Sequence, residues 1–290
     1  LDCAEIFPVG RVAVVTPVFA VVGHPNKGKS SIVATLAQDD SVAISAQSGT
    51  TRVAETIQVE VGGSRYDLVD TPGFQRPARV LKWLESHASN AQERQAAVKQ
   101  FVDDEECRQR FPDEVELLRP ILNGAAILYV VDGSRPYGAE YEAEMEILRW
   151  TGQASMALIN PIENEQYITA WQQARSQYFK VVKVFNAMEA DFDKQMSILE
   201  AFSLLREDWQ NTVRQITNAY RRQRESQRRQ SLEILVGLLN DVCSYQESQK
   251  VLNREQARQL QPVLEKKFYD TLRRREQHAH NALRELYHYH

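Results

Sequence analysis

The sequence predicts an α/β fold on a mostly parallel six-stranded sheet, with a helical insertion and an α-helical C-terminal region. Three observations carry that prediction. Over the first 190 residues, short apolar runs alternate with helical stretches. A glycine-bearing loop, Gly23–Ser30, separates the first run from the first helix. From Phe192 onward no strand signal remains.

The elements follow in order. Pro17–Val22 (PVFAVV) is a β-branched run ending at Gly23, which reads as a buried strand, and Lys29–Leu36 reads as a helix. Val53–Val61 partly alternates, Gly62-Gly63 gives a turn, and Arg65–Asp70 returns, so the pair predicts a hairpin. Phe74–Gly124 has no strand pattern. Its Val80, Leu81 and Leu84, then Val115, Leu117, Leu118 and Ile121, fall at helical spacings and predict a helical insertion over 75–124. Ala125–Val131, Ser155–Asn160 and Lys180–Phe185 read as three further buried strands. Glu140–Trp150 (with Tyr141, Met145 and Leu148) and Tyr167–Tyr178 (with Ile168, Trp171 and Ala174) read as the helices between them. This assigns 1–190 to the α/β domain. The remaining 191–290 is rich in Gln, Arg, Glu and Leu and predicts two or three long helices, broken near Ser244–Lys250 or at Pro262. Leu232, Leu235, Val236, Leu239 and Val242 form an amphipathic stripe there.

Composition excludes several classes. The chain has 290 residues, 43% of them hydrophobic, enough for a sizeable core and against wholesale disorder. Ala125–Val131 is its longest apolar run, far short of the ~18 residues a membrane span needs. Cys3, Cys107 and Cys243 lie too far apart for a disulfide framework or a CxxC zinc site, so a reducing cytoplasmic location is expected. The net charge of −4 hides a split: residues 1–210 carry −10 and residues 211–290 carry +6. The chain starts at Leu1 and ends at His290, and a fragment of something longer is expected.

Gly23-His24-Pro25-Asn26-Lys27-Gly28-Lys29-Ser30 matches the phosphate-binding pattern GxxxxGK[ST], between a strand and a helix as that pattern demands. Glycines let backbone N–H groups wrap phosphates, Lys29 brings a point charge, and the Ser30 hydroxyl suits Mg²⁺. Asp70-Thr71-Pro72-Gly73 ends a strand. There Asp70 is expected to hold Mg²⁺ through water, and the Gly73 amide to meet the outer phosphate. Ser48-Gly49-Thr50-Thr51-Arg52 is a loop whose threonine hydroxyl could reach Mg²⁺, ordering only with the γ-phosphate present.

GxPNxGKS, GTTR and DTPG together resemble the P-loop GTPases of the Era, Der and MnmE group, over about residues 17–190. The resemblance implies a three-layer P-loop NTPase fold, GTP/GDP with Mg²⁺ as cofactors, and switch behaviour. It makes Lys29, Thr51 and Gly73 the catalytic candidates. Gly23, Asn26, Lys27, Gly28, Lys29, Ser30, Ser31, Asp70 and Gly73 become the nucleotide-binding ones. Ser30, Thr51 and Asp70 would hold Mg²⁺, and Asn26 is a candidate potassium ligand with Ser45 and Gln47 beside it. Phe74 follows DTPG where a water-orienting glutamine could stand, so the expected rate is slow. The guanine-reading NKxD appears as Asn160-Pro161-Ile162-Glu163, lacking the lysine and carrying Glu for Asp, and the loop after the sixth strand offers Asn186 and Ala187.

DTPG, the long helical segment, LYVVD, EILRWTG and ALINP narrow the resemblance to an uncharacterised bacterial GTPase family with a C-terminal domain of unknown function. That implies a location peripheral to the inner membrane, through a part beyond this chain. The expected partners are nucleotide, a protein met through the switch regions or the helical tail, and a nucleotide-dependent second copy. Nucleic acid is not expected, since no aromatic residues interleave with the basic cluster Arg221, Arg222, Arg224, Arg228 and Arg229. A nucleotide-binding scaffold and an ATP-using NTPase stand as the alternatives.

Overall fold

The computed structural model describes residues 15–38, 52–175 and 178–287. Its six strands are β1 (Val18–Gly23), β2 (Glu55–Val61), β3 (Ser64–Asp70), β4 (Ala126–Asp132), β5 (Ser155–Asn160) and β6 (Val181–Val184). They form one sheet in the order β2-β3-β1-β4-β5-β6, with only the β2–β3 hairpin antiparallel. β1, β4 and β5 carry apolar side chains on both faces because both faces are covered.

On one face lie α1 (Lys29–Ala37) and the later helix Phe192–Phe202. There Phe202 stacks on Phe19 at 3.8 Å and Trp209 meets the same ring edge-on at 5.0 Å. The opposite face is covered by the insertion: α2 (Pro77–His87), α3 (Arg94–Asp103), α4 (Glu105–Arg110) and α5 (Pro112–Leu122). Next to it stand α6 (Ala139–Trp150) and α7 (Ile168–Arg175). Val80, Leu84, Phe101, Val115 and Leu118 share one core with Val22, Tyr129 and Ile159, so the insertion is part of the sheet's own packing. The three layers, the mostly parallel sheet and the helical insertion match the expected architecture.

After α8 (Phe192–Phe202), α9 (Gln210–Ser244) and α10 (Arg254–Leu286) complete the chain. The described residues divide into two compact units at Thr217/Asn218, whereas the expected domain boundary falls at 190/191. The 192–217 stretch packs in the first unit, where Thr212 donates to the Val15 carbonyl and Ser64 to the Gln215 side chain. In the second unit the two helices pair: Ser231 meets Tyr287, Arg275 donates to the Asp241 carbonyl, and Tyr245 stacks on Phe268. Of the two expected break points, the one near Ser244–Lys250 is found and the one at Pro262 is corrected. Pro262 lies inside α10, costing it one backbone hydrogen bond, and the chain breaks over 245–253, where the Asn253 side chain caps α10 at the Gln256 N–H. Leu232, Leu235, Val236 and Leu239 are exposed. No helix among the described residues is long and apolar enough to cross a membrane.

Candidate nucleotide site

Sheet topology decides where a ligand can sit. The chain leaves β1 toward β3 on one side and toward β4 on the other, so a crevice opens at the carboxyl ends of these strands. Register puts Asp70 of β3 beside Val21, and Gly23 beside Val130. The P-loop and the DTPG turn therefore emerge side by side, although 40 residues separate Ser30 from Asp70.

The loop geometry suits an anion. Asn26 (φ 59°) and Gly28 (φ 81°) take left-handed conformations, and Gly28 caps α1, so successive backbone N–H groups can converge on a ligand at a helix N-terminus. A Cβ on Gly28 would come within 2.5 Å of the Asn160 side-chain nitrogen, and one on Gly73 within 2.6 Å of the Pro25 nitrogen. The P-loop thus meets the end of β5 through Gly28 and the DTPG turn through Gly73. Phe74 N–H donates to the Gly23 carbonyl at 3.2 Å, and Thr71 Oγ1 to Val21 at 2.8 Å, stitching DTPG to β1.

Ser30 Oγ donates to Asp70 Oδ2 at 2.7 Å. A hydroxyl and a carboxyl held this close are hard oxygen donors of the kind Mg²⁺ takes, so the donor set fits that ion. Lys29 is buried and donates to the His24 carbonyl at 3.0 Å. Burial holds its ammonium below the ordinary value, against the pull of Asp70 and Glu144. A cleft of about 770 Å³ includes Asn26, Lys27, Gly28, Lys29, Ser30, Ser31, Arg52 and Gly73 in its lining.

The base-reading side is only partly assembled. Asn160 is buried at the end of β5 and donates to the Lys27 carbonyl at 3.3 Å. Its Oδ1 is buried without a hydrogen-bond partner among the described residues. Glu163 is 65% exposed at the side chain and lies 3.7 Å from Arg135. Asn186 accepts from Met188 N–H, and the Ala187 carbonyl accepts from Thr35. None of Glu163, Asn186 and Ala187 lines the phosphate cleft. Thr51, Ser45 and Gln47 lie outside the described residues.

Sequence reasoning missed several participants. Asp132, at the end of β4, accepts from Lys27 at 3.2 Å and from Ser134 N–H at 2.9 Å. Burial opposes its ionisation, but the Ser134 and Lys27 hydrogen bonds hold its carboxyl below the usual value. Glu144 is fully buried on α6, 2.9 Å from His24 Nδ1 and 2.8 Å from the Tyr129 hydroxyl. Burial pushes its carboxyl up, against those two hydrogen bonds. Gln75, Pro112 and Asp113 also line the cleft.

Comparison with known proteins bears on this geometry. Residues 18–160 match the family model described as "50S ribosome-binding GTPase". The chain carries a P-loop GTPase domain of the Era/Der-like group. Residues 172–290 match "Domain of unknown function (DUF3482)", as the C-terminal resemblance implied. The GTPase domain is 43% identical over 68 residues to GTPase Der of Mycoplasma pneumoniae, covering 23% of this chain and 15% of that protein. It is 46% identical over 66 residues to GTPase Der of Methylococcus capsulatus, covering 23% and 14%. The chain thus spans about a seventh of the length of the curated relatives it matches. A structure of Era with MgGDPNP and a 16S ribosomal RNA segment aligns at a TM-score of 0.45 with 16% identity, over 64% of this chain and 56% of that one. The expectation that nucleic acid is no partner is at odds with the description of the matched family model, which speaks of ribosome binding.

Proposed function

We propose that the chain is a Mg²⁺-dependent GTP-binding and GTP-hydrolysing switch whose state reaches a helical C-terminal region. The single observation that carries the reading is the Ser30–Asp70 pair at 2.7 Å beside the buried Lys29, at a glycine-built helix N-terminus. Bound Mg²⁺ supplies charge neutralisation at the outer phosphates. The chain's own residues do the rest. Backbone N–H groups of Asn26–Ser30 bind phosphate oxygens, Lys29 places its ammonium among them, and the Gly73 amide donates to the outermost group. Thr51 is proposed as a further Mg²⁺ ligand and Asn26 as a potassium ligand. Asn160 reads the base, with Glu163 reaching its edge and Asn186 and Ala187 flanking it. Turnover is slow, because Phe74 stands where a water-orienting residue could follow Gly73.

The working division is a G domain over 1–190 with its insertion at 75–124, and a helical region over 191–290. Its partners are the nucleotide, a protein at the switch regions or helical tail, and a second copy across the nucleotide face. The proposed location is cytoplasmic or peripheral to the inner membrane. The test is GTP binding and turnover with Mg²⁺, with and without K⁺, for the parent and for Lys29→Ala. The parent should bind and hydrolyse, faster with K⁺, and Lys29→Ala should bind no nucleotide. A Lys29→Ala chain that binds as tightly as the parent refutes the reading. A parent that binds but never hydrolyses favours the scaffold.

A further inference from the structure

The insertion reaches the phosphate cleft through one buried acid. Glu114 sits in the first turn of α5 and is 1% exposed. Its Oε1 accepts two backbone N–H groups, from Gln75 at 3.0 Å and from Arg76 at 2.6 Å. These are the second and third residues after Gly73. The residue between, Phe74, is fully buried in the core shared with Val80, Leu84 and Val115, while its N–H is held by the Gly23 carbonyl. The Arg76 guanidinium adds a bond to the Arg110 carbonyl at 2.9 Å, just before α5 begins. Gln75 and Asp113, Glu114's neighbour, line the same cleft as Lys29 and Ser30.

These bonds have a mechanical consequence. A buried acceptor holding two consecutive N–H groups fixes the backbone between them, because losing both bonds strands the buried Glu114 carboxyl oxygen. The segment that follows DTPG is thus held twice in succession, by the P-loop through Phe74 and by the insertion through Glu114, while Thr71 ties the turn itself to β1. Any shift of Gly73 must be transmitted to α5, whose Val115, Leu118 and Ile121 are packed into the core.

We propose that Glu114 is a positioning residue: it sets the Gly73–Arg76 segment over the outer phosphate and couples the nucleotide state to the helical insertion 77–122. The proposal rests on the GTPase reading above. It makes the insertion an element that responds to the nucleotide, through bonds to backbone N–H groups that any substitution at 75 or 76 other than proline would keep.

The test has two arms on the full chain. In the first, hydrogen exchange of the parent is compared with GDP and with a non-hydrolysable GTP analogue. Protection should change at 75–76 and also across 94–122. If the insertion does not respond, the proposal is overturned, and since this arm needs no variant, a substituted chain that fails to fold does not shelter it. In the second arm, Glu114→Ala should lower kcat about 10- to 100-fold while GDP affinity stays at the parent's value. Glu114→Gln, which keeps an acceptor oxygen, should restore most of kcat. Equal kcat for parent and Glu114→Ala, or GDP affinity falling in step with kcat, overturns the proposal. Failure of the broader reading looks different. A parent that turns over no GTP yet shows the exchange difference contradicts hydrolysis and supports the coupling, whereas a parent that binds neither nucleotide overturns both.

Discussion

Replacing Glu144 probes the support beneath the P-loop. This side chain is fully buried, with His24 at 2.9 Å and Tyr129 at 2.8 Å, and His24 in turn presents its carbonyl to Lys29 at 3.0 Å. Glu144→Ala removes both hydrogen bonds, about 2–3 kcal/mol, and leaves a cavity worth about 1–2 kcal/mol. Urea unfolding of the apo chain should therefore show a loss of about 3–5 kcal/mol. Glu144→Gln keeps the shape and isolates the charge. Burial raises the folded carboxyl above its ordinary 4.5, so between that value and the higher folded value the native state binds more protons than the unfolded one. Stability credited to this group is complete below 4.5 and is lost as pH rises through the folded value, at a slope of up to about 1.4 kcal/mol per pH unit. The groups facing it are His24, Tyr129 and Lys29, and all three remain in Glu144→Gln. The difference between parent and Glu144→Gln should thus drift against the parent with rising pH. A Glu144→Ala loss below about 1 kcal/mol, or a flat difference curve, refutes the reasoning.

Phe202→Ala should cost about 3–5 kcal/mol in urea unfolding, because the ring is 1% exposed and stacks on Phe19. A loss under about 1 kcal/mol would mean that the 192–217 stretch is not part of the first unit's core. Gly73→Ala should cost about 1–3 kcal/mol, since the new methyl meets Pro25 backbone and ring atoms that cannot swing aside. A thermal midpoint equal to the parent's would show that the DTPG turn can retreat from the P-loop.

Much of the fold was legible. The apolar runs PVFAVV, AILYVV and SMALIN became β1, β4 and β5 because strands covered on both faces need apolar side chains at every position. The P-loop and DTPG were legible as local patterns, and the parallel pairing of β1 with β3 then brings them together. What stayed hidden is long-range polar pairing. Glu144 lies amid Tyr141, Met145 and Leu148, and Glu114 amid Phe111, Val115 and Leu118, so each interrupts a buried helical stripe. That interruption was a usable signal, but the partners lie 120 and 38 residues away and no local rule names them. Asp132-Gly133-Ser134 forms an Asx turn at the end of β4, and its hold on Lys27 comes only from the sheet, so neither was read from the sequence. Of the two break points expected in the tail, Ser244–Lys250 was right, ahead of a good cap at Asn253, and Pro262 was not, because a solvated helix can absorb one lost hydrogen bond.

The most direct test of the central claim is competition of GTP and ATP for one labelled guanine nucleotide on the full chain with Mg²⁺. The proposed reading, with Asn160 held against Lys27 and the Glu163 carboxylate accepting from the N1 and N2 hydrogens that guanine has and adenine lacks, predicts displacement by GTP and GDP at far lower concentration than by ATP. Equal displacement by ATP, or no binding of the guanine label at all, would contradict the account.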